Sequence, residues 1–415
     1  MNFEETLEAQ LQQIRDAGLY RELRRVDSPQ SSQIQIGGRM LLNFSSNDYL
    51  GFANDPIIKE AAIKAIEKFG AGSGASRLIC GSLAPHAELE EALAEFKGAD
   101  AALTFSSGYS TAIGAICALL GKDDTIILDK LVHASIVDAA RLSGATIRVF
   151  GHNNLNNLEN ILKSMVRRDE LHESQTKRKN MGTGATCPSG RNERTLIVTE
   201  SIFSMDGDCA PLREITTLKD KYGAWLMVDE AHSTGLYGKN RRGLAEELGV
   251  SDQIEIQMGT LGKALGASGG YICGSRKLID LLVNRARSFI FSTAPVPAAA
   301  AAATAAIRLV QSKAGESRRN VLWQRVADLN SKFKIQNSKL PSAIVPILIG
   351  DETKAVAAAK KLLAKGILVP AIRYPSVARG AARLRVTLTA AHTSANILQL
   401  IAGLNSITNP PIGCP

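Results

Sequence analysis

The chain has 415 residues, 45% hydrophobic and 21% charged, a globular composition that excludes a disordered or fibrous chain. That length accommodates one large domain with a smaller one appended. The formal net charge of +9 suits polyanionic small molecules such as a phosphate cofactor or coenzyme A; read as a charge spread over the surface, it does not call for nucleic acid.

Residues 3 to 25 show a helical pattern, with Phe3, Leu7, Leu11, Ile14 and Leu19 on one side. The first residues are polar and carry Glu4, Glu5 and Glu8, so no signal peptide is read and a cytoplasmic protein is expected. Gly37-Gly38 forms a turn between two β-like segments, Ile34 to Ile36 and Met40 to Leu42. From about residue 56 helix and strand alternate. Ile57 to Phe69, Tyr109 to Leu120 and Ala134 to Leu142 read as helices; Ala101 to Phe105, Thr125 to Leu128, Thr146 to Phe150, Thr195 to Val198 and Ala224 to Val228 read as short apolar strands. Continuous apolar strands alternating with helices predict an α/β fold whose mostly parallel central sheet is covered by helices.

The segment of about 166 to 194 is basic, rich in Gly, Ser and Pro, and lacks hydrophobic periodicity, which predicts a surface excursion between two sheet elements. After Pro295 and Pro297 an Ala-rich helix begins, too short an apolar run to span a bilayer. The remainder, with strands at Ala343 to Ile349 and Leu384 to Leu388, predicts a smaller α+β domain. The division is therefore an N-terminal arm over 1–45, a large domain over 46–295 and a small domain over 296–415. The six cysteines form no C-x-x-C pair and none lies at metal spacing from a histidine, so neither disulfide nor metal is expected.

Two motifs carry the chemistry. In Trp225-Leu226-Met227-Val228-Asp229-Glu230-Ala231-His232 an apolar strand ends in an acid followed by a histidine. Open parallel sheets bind ligands at the carboxyl ends of their strands. In Gly259-Thr260-Leu261-Gly262-Lys263-Ala264-Leu265-Gly266 a lysine stands between small residues that let a planar ring approach the backbone. A Schiff base needs a lysine amine, and a pyridine nitrogen kept protonated needs a carboxylate. Lys263 and Asp229 together therefore point to pyridoxal 5'-phosphate (PLP). Phe105-Ser106-Ser107-Gly108-Tyr109 precedes a helix whose N-terminal N–H groups can hold a phosphate, with an ordinary N-cap as the alternative. His133 follows a strand, where a flat imidazole can stack on the pyridine ring; a purely structural histidine is the alternative. Gly70 to Arg77 follows a helix rather than a strand, so it is not a dinucleotide fingerprint and reads as a close-packed loop near a ligand.

These stretches, with Asn43-Phe44-Ser45-Ser46-Asn47-Asp48-Tyr49-Leu50-Gly51, Gly72-Ser73-Gly74-Ala75-Ser76-Arg77, Phe203-Ser204-Met205-Asp206-Gly207-Asp208 and Ala381 to His392, resemble the α-oxoamine synthases over about residues 5 to 405. The resemblance implies the fold type I PLP-dependent architecture and a homodimer with sites at its interface. It implies Lys263 as the Schiff-base lysine and general base, Asp229 on the pyridinium, His232 on the phenolic oxygen, His133 stacked on the ring and Ser204 reaching the cofactor. Gly108, Tyr109 and Thr260 surround the phosphate, which Ser292 and Thr293 reach from the neighbouring subunit. Arg385 clamps the amino-acid carboxylate beside Asn47, and Arg21 and Ser376 contact the acyl substrate. The implied reaction joins an amino acid to an acyl-CoA or acyl-carrier-protein thioester with loss of carbon dioxide. Two pairs of substrates fit: L-alanine with a pimeloyl thioester, favoured by Ala371-Ile372-Arg373 and Arg383 to Leu388, or glycine with acetyl-CoA.

Overall fold

The computed structural model describes residues 2–165, 193–333 and 340–407. Its strands are, in chain order, β1 (Gln33–Ile36), β2 (Arg39–Asn43), β3 (Ala101–Phe105), β4 (Thr125–Asp129), β5 (Thr146–Phe150), β6 (Thr195–Glu200), β7 (Trp225–Asp229), β8 (Ile256–Thr260), β9 (Gly270–Gly274), β10 (Ile344–Gly350), β11 (Ile367–Leu368), β12 (Ala371–Ile372) and β13 (Ala382–Thr387). The central sheet has seven strands in the order β3-β9-β8-β7-β6-β4-β5. Neighbours from β8 to β5 pair in parallel, while β9 runs antiparallel to both β3 and β8.

Helices cover both faces, which is why the strands read as continuous apolar runs. Successive residues feed opposite cores: Ile127, Ile197, Leu226 and Val228 enter one, and Ile126, Leu128, Leu196, Val198 and Met227 the other. The Ala-rich helix Pro297–Gln311 buries Ala300, Ala303 and Ala306 and packs on helices Pro56–Phe69 and Ala84–Lys97. Strands β10, β13 and β12 form an antiparallel sheet, and the N-terminal hairpin β1–β2 is joined by β11 from the C-terminal part. Gly37 and Gly38 make that hairpin turn with φ of 56° and 74°, the left-handed region a two-residue turn requires.

Three expectations are corrected. The N-terminal helix runs only from Phe3 to Asp16, not to residue 25. Gly18 at φ 66° ends the helical path, and Arg21 lies in an exposed non-helical segment. The central sheet also contains β8 and β9, which the sequence did not disclose. Both carry glycines that weaken the strand signal, and Gly259 is required there because a Cβ would come within 2.3 Å of the Tyr271 ring. Finally, Glu193 and Arg194, at the end of the expected excursion of about 166 to 194, are tied to the start of β4. Arg194 donates to Asp124 through Nε at 2.8 Å and through its terminal nitrogen at 2.6 Å, and Glu193 accepts from Thr125 Oγ1 at 2.8 Å. Residues 166–192 lie outside the described residues. Among those described, no helix is long and apolar enough to cross a membrane.

Candidate active site

The carboxyl ends of β6 and β7 bring two acids together, with Glu200 and Asp229 facing each other in the strand register. Both are buried. Asp229 Oδ1 accepts from the Ala231 N–H at 2.9 Å, which turns the chain sharply into the loop carrying His232. Glu230 points away from this site. It meets the buried Lys97 amine and accepts from the Ala245 N–H at 2.9 Å, anchoring the loop from behind.

Lys263 follows β8 in a tight loop, half-buried, with Nζ 2.9 Å from His232 Nε2. The other ring nitrogen, Nδ1, lies 2.5 Å from the Tyr49 hydroxyl. Tyr49 also contacts Asn47 Oδ1 at 3.4 Å, and that oxygen accepts from both terminal nitrogens of Arg385 at 3.2 Å each. Arg385 is fixed further by Ser204 O at 2.6 Å and Thr387 Oγ1 at 2.9 Å. A continuous polar chain therefore runs from Lys263 through His232, Tyr49 and Asn47 to Arg385.

The electrostatics follow from burial. Burial lowers the Lys263 amine below the usual lysine range, with Arg385 acting in the same direction and Asp229 and Glu200 opposing it. Burial, then the positive fields of Lys263 and Arg385, hold His232 well below its ordinary value, so it is a neutral imidazole. Burial raises Asp229, and burial with the Asp229 charge pushes Glu200 up to about 8. Tyr49 is pushed up to about 12 by burial and stays a phenol.

The residues on the other side of this cluster form a cradle. Ser107 caps helix Gly108–Leu119, accepting from the Ser110 N–H at 3.1 Å. A Cβ placed on Gly108 would meet only the Thr260 side chain, at 3.9 Å, so the helix N-terminus is open beside that hydroxyl. Tyr109 is tied sideways, its hydroxyl donating to Asp138 at 2.8 Å. His133 caps helix Ala134–Ser143 through Nδ1, which accepts from the Ser135 N–H at 3.2 Å, and it stands exposed within the field of Asp229.

The structure thus brings together Lys263, Asp229, His232, Arg385, Asn47 and Ser204, and separately Gly108, Tyr109 and Thr260. His133 stands beside them, within the field of Asp229 and Lys263, whereas Ser292, Thr293, Arg21 and Ser376 are not joined to them among the described residues. Thr293 bridges Ser76 and the Ala294 N–H donates to Ala75 O, and no hydrogen bond among the described residues links Ser292 or Thr293 to Gly108, Tyr109 or Thr260. Arg21 and Ser376 are both exposed. Sequence reasoning did not single out Tyr49 or Glu200 for roles of their own. Tyr49 stood within the quoted Asn43 to Gly51 stretch, and Glu200 ends an apolar strand as Asp229 does.

The class I and II aminotransferase family matches residues 39–404. Curated relatives named 8-amino-7-oxononanoate synthase are 44% identical in Anaeromyxobacter dehalogenans (98% of this chain, 96% of the relative) and 44% identical in Geobacter sulfurreducens (97% of each). The chain belongs to the class I and II aminotransferases, among the 8-amino-7-oxononanoate synthases. Solved structures agree with this family. A serine palmitoyltransferase from Sphingomonas wittichii superposes at a TM-score of 0.85 with 30% identity over 97% of this chain and 96% of that one. An 8-amino-7-oxononanoate synthase from Francisella tularensis superposes at 0.71 with 27% identity over 88% and 96%. A further serine palmitoyltransferase structure, at 0.86 and 29% over 98% of each chain, is described as carrying PLP.

The residues present fit that cofactor. The site offers a half-buried amine whose pKa burial lowers, a buried carboxylate for a pyridinium, an exposed imidazole and an open helix N-terminus for a phosphate. At this site one buried oxygen, Glu200 Oε1, has no hydrogen-bond partner among the described residues.

Proposed function

We propose that this chain is a PLP-dependent acyltransferase that condenses L-alanine with a pimeloyl thioester, of coenzyme A or of a carrier protein. The products are 8-amino-7-oxononanoate, the free thiol and carbon dioxide. The observation that carries the chemistry is the Lys263 amine, lowered by burial, placed 2.9 Å from a neutral His232 and within the field of a buried Asp229. The choice of substrates rests on relatives of that name, 44% identical over nearly the whole chain.

Lys263 holds the cofactor, Asp229 keeps its ring nitrogen protonated, and the N–H groups at Gly108 and Tyr109 with Thr260 take its phosphate. When bound, PLP supplies an electron sink for charge developing at the amino-acid α-carbon. The chain does the rest. Arg385 pairs with the amino-acid carboxylate, and Asn47 and Ser204 O hold the guanidinium flat for it. With PLP and the amino acid bound, the Lys263 amine would be the general base for the α-proton, and burial lowers its pKa in the direction such a base needs. His232 has one proton for two nitrogens, and the Tyr49 hydroxyl on Nδ1, which can donate or accept, holds the ring in place against Lys263. Arg21 and Ser376 are assigned to the acyl chain.

The working form is a homodimer, and two observations support this. Ser292 and Thr293 are not joined to their own chain's cradle, as expected of residues that serve a neighbour's. The N-terminal helix buries no residue of its own and leaves Phe3, Leu7, Leu11 and Ile14 exposed on one face, an apolar stripe that a second copy would cover.

The test is spectroscopic. Purified protein should be yellow from lysine-bound cofactor. Lys263→Ala should lose that absorbance and all measurable turnover while still holding cofactor weakly. A variant that keeps both colour and turnover would overturn the assignment.

A further inference from the structure

His86 is 1% exposed, and both of its ring nitrogens are engaged. Nδ1 accepts from the Leu83 N–H at 3.1 Å, closing the N-terminus of helix Ala84–Lys97. An amide can only donate, so Nδ1 carries no proton and the neutral ring has its one hydrogen on Nε2. That hydrogen is donated to the Pro295 carbonyl at 2.7 Å. The same carbonyl accepts from Ser73 Oγ at 2.6 Å. Burial lowers the His86 pKa, which keeps the neutral form in place at neutral pH.

Pro295 stands two residues after Thr293. Between them the Ala294 N–H donates to Ala75 O at 2.9 Å, and Thr293 bridges Ser76. One turn further along the same helix, Glu90 grips Arg77 through both carboxylate oxygens at 2.9 Å and accepts from the Thr104 N–H of β3 at 2.9 Å. His86 and Glu90 are four residues apart and so share a helix face. From that face one side chain holds the segment after Thr293 and the other holds the Gly72–Arg77 loop. Neither touches the polar chain from Lys263 to Arg385.

We propose that His86 is a positioning residue that holds Pro295, and through it Ser292 and Thr293, where they complete the phosphate pocket of the partner subunit. The inference rests on the shared-site reading above. His86 then acts on the site of the other chain, not on its own. A residue that only stabilises its own fold would not behave that way.

Mixed dimers separate the possibilities. His86→Leu removes the donor to Pro295, and His86→Gln keeps an N–H in about the same place. Loss of a hydrogen-bonded hold on a charged phosphate should weaken PLP binding in the His86→Leu homodimer by about 10- to 100-fold. Binding of pyridoxal, which lacks the phosphate, should change little, and His86→Gln should restore most of the PLP affinity. Each His86→Leu chain is then paired with a Lys263→Ala chain. The only site in that hybrid with Lys263 sits in the His86→Leu chain and is completed by segments from the chain whose His86 is intact. It should bind PLP normally and recover about half of the wild-type turnover. A parallel hybrid of Ser292→Ala/Thr293→Ala with Lys263→Ala should recover likewise. If that parallel hybrid recovers and the His86 hybrid does not, His86 acts within its own chain and the proposal is overturned. If neither recovers, the shared-site reading fails and takes the proposal with it. Failure of His86→Leu chains to form dimers, or equal loss of PLP and pyridoxal binding, would make His86 a general folding residue and also overturn it.

Discussion

Arg385 shows how one side chain is prepared for its task. Three of its nitrogens are engaged, by Ser204 O, Asn47 Oδ1 and Thr387 Oγ1, so the guanidinium plane is fixed before any substrate arrives. A lysine would keep the charge and lose the planar fork. Arg385→Lys should therefore raise the KM for the amino acid by about 10- to 100-fold, the loss expected for a charge-assisted hydrogen bond, and move the KM for the thioester far less. Steady-state kinetics with each substrate varied would check this, and equal changes in both constants would count against the clamp. The sequence pointed to Lys263 and Asp229 because each lies in a contiguous motif whose neighbours state its context, and the fold brings the two together. Tyr49 was not assigned a role because the group it bonds, His232, is 183 residues away along the chain. Glu200 was missed for a similar reason: only the β6–β7 register places it beside Asp229.

At the scale of elements, the loop Phe203 to Asp208 ties the large sheet to the strand that carries Arg385. Asp206 pairs with Arg383 of β13, and a Cβ on Gly207 would come within 2.3 Å of Ile344 O in β10, so the loop lies flat against that sheet. Its far end is held by His152, whose ring lies 3.0 Å from Asp129 at the end of β4 and 2.7 Å from Asp208. Although burial opposes it, the two carboxylates push His152 up to about 10. A folded pKa above the unfolded value means that the charged ring stabilises the fold. That contribution is complete below the ordinary histidine value near 6.5 and is lost as the pH rises through about 10. His152→Gln should accordingly lower unfolding stability by about 1–3 kcal/mol at pH 6, the scale of hydrogen bonds to charged groups, and the difference should shrink above pH 10. Urea unfolding at several pH values measures it; a difference that is independent of pH would show that the ion pairs do not matter. None of this was visible in the sequence, where His152 follows an ordinary strand. Most of the strands were visible as apolar runs; β8 and β9 were missed, where glycine makes room for Tyr271, and so were β11 and β12, two residues each and too short to give a pattern.

At the scale of the molecule, the parallel sheet gathers the ends of β6, β7 and β8 at one edge, and the C-terminal sheet delivers Arg385 to the same place. That arrangement is the basis for the proposed amino-acid position. Arg21, proposed above for the acyl partner, is exposed in the single chain. A cation placed to meet the far end of a pimeloyl chain favours a carboxylate there. Arg21→Ala should therefore raise the KM for the pimeloyl thioester much more than that for alanine. Selection of alanine over glycine rests on one methyl group, worth about 1–3 kcal/mol, so glycine should react slowly rather than not at all. The most direct test is mass spectrometry of the products formed by wild-type enzyme from a panel of amino acids and acyl thioesters. The expected dominant product is 8-amino-7-oxononanoate from L-alanine and a pimeloyl thioester, with one carbon dioxide released for each thiol. Dominant condensation of glycine with acetyl-CoA would contradict it.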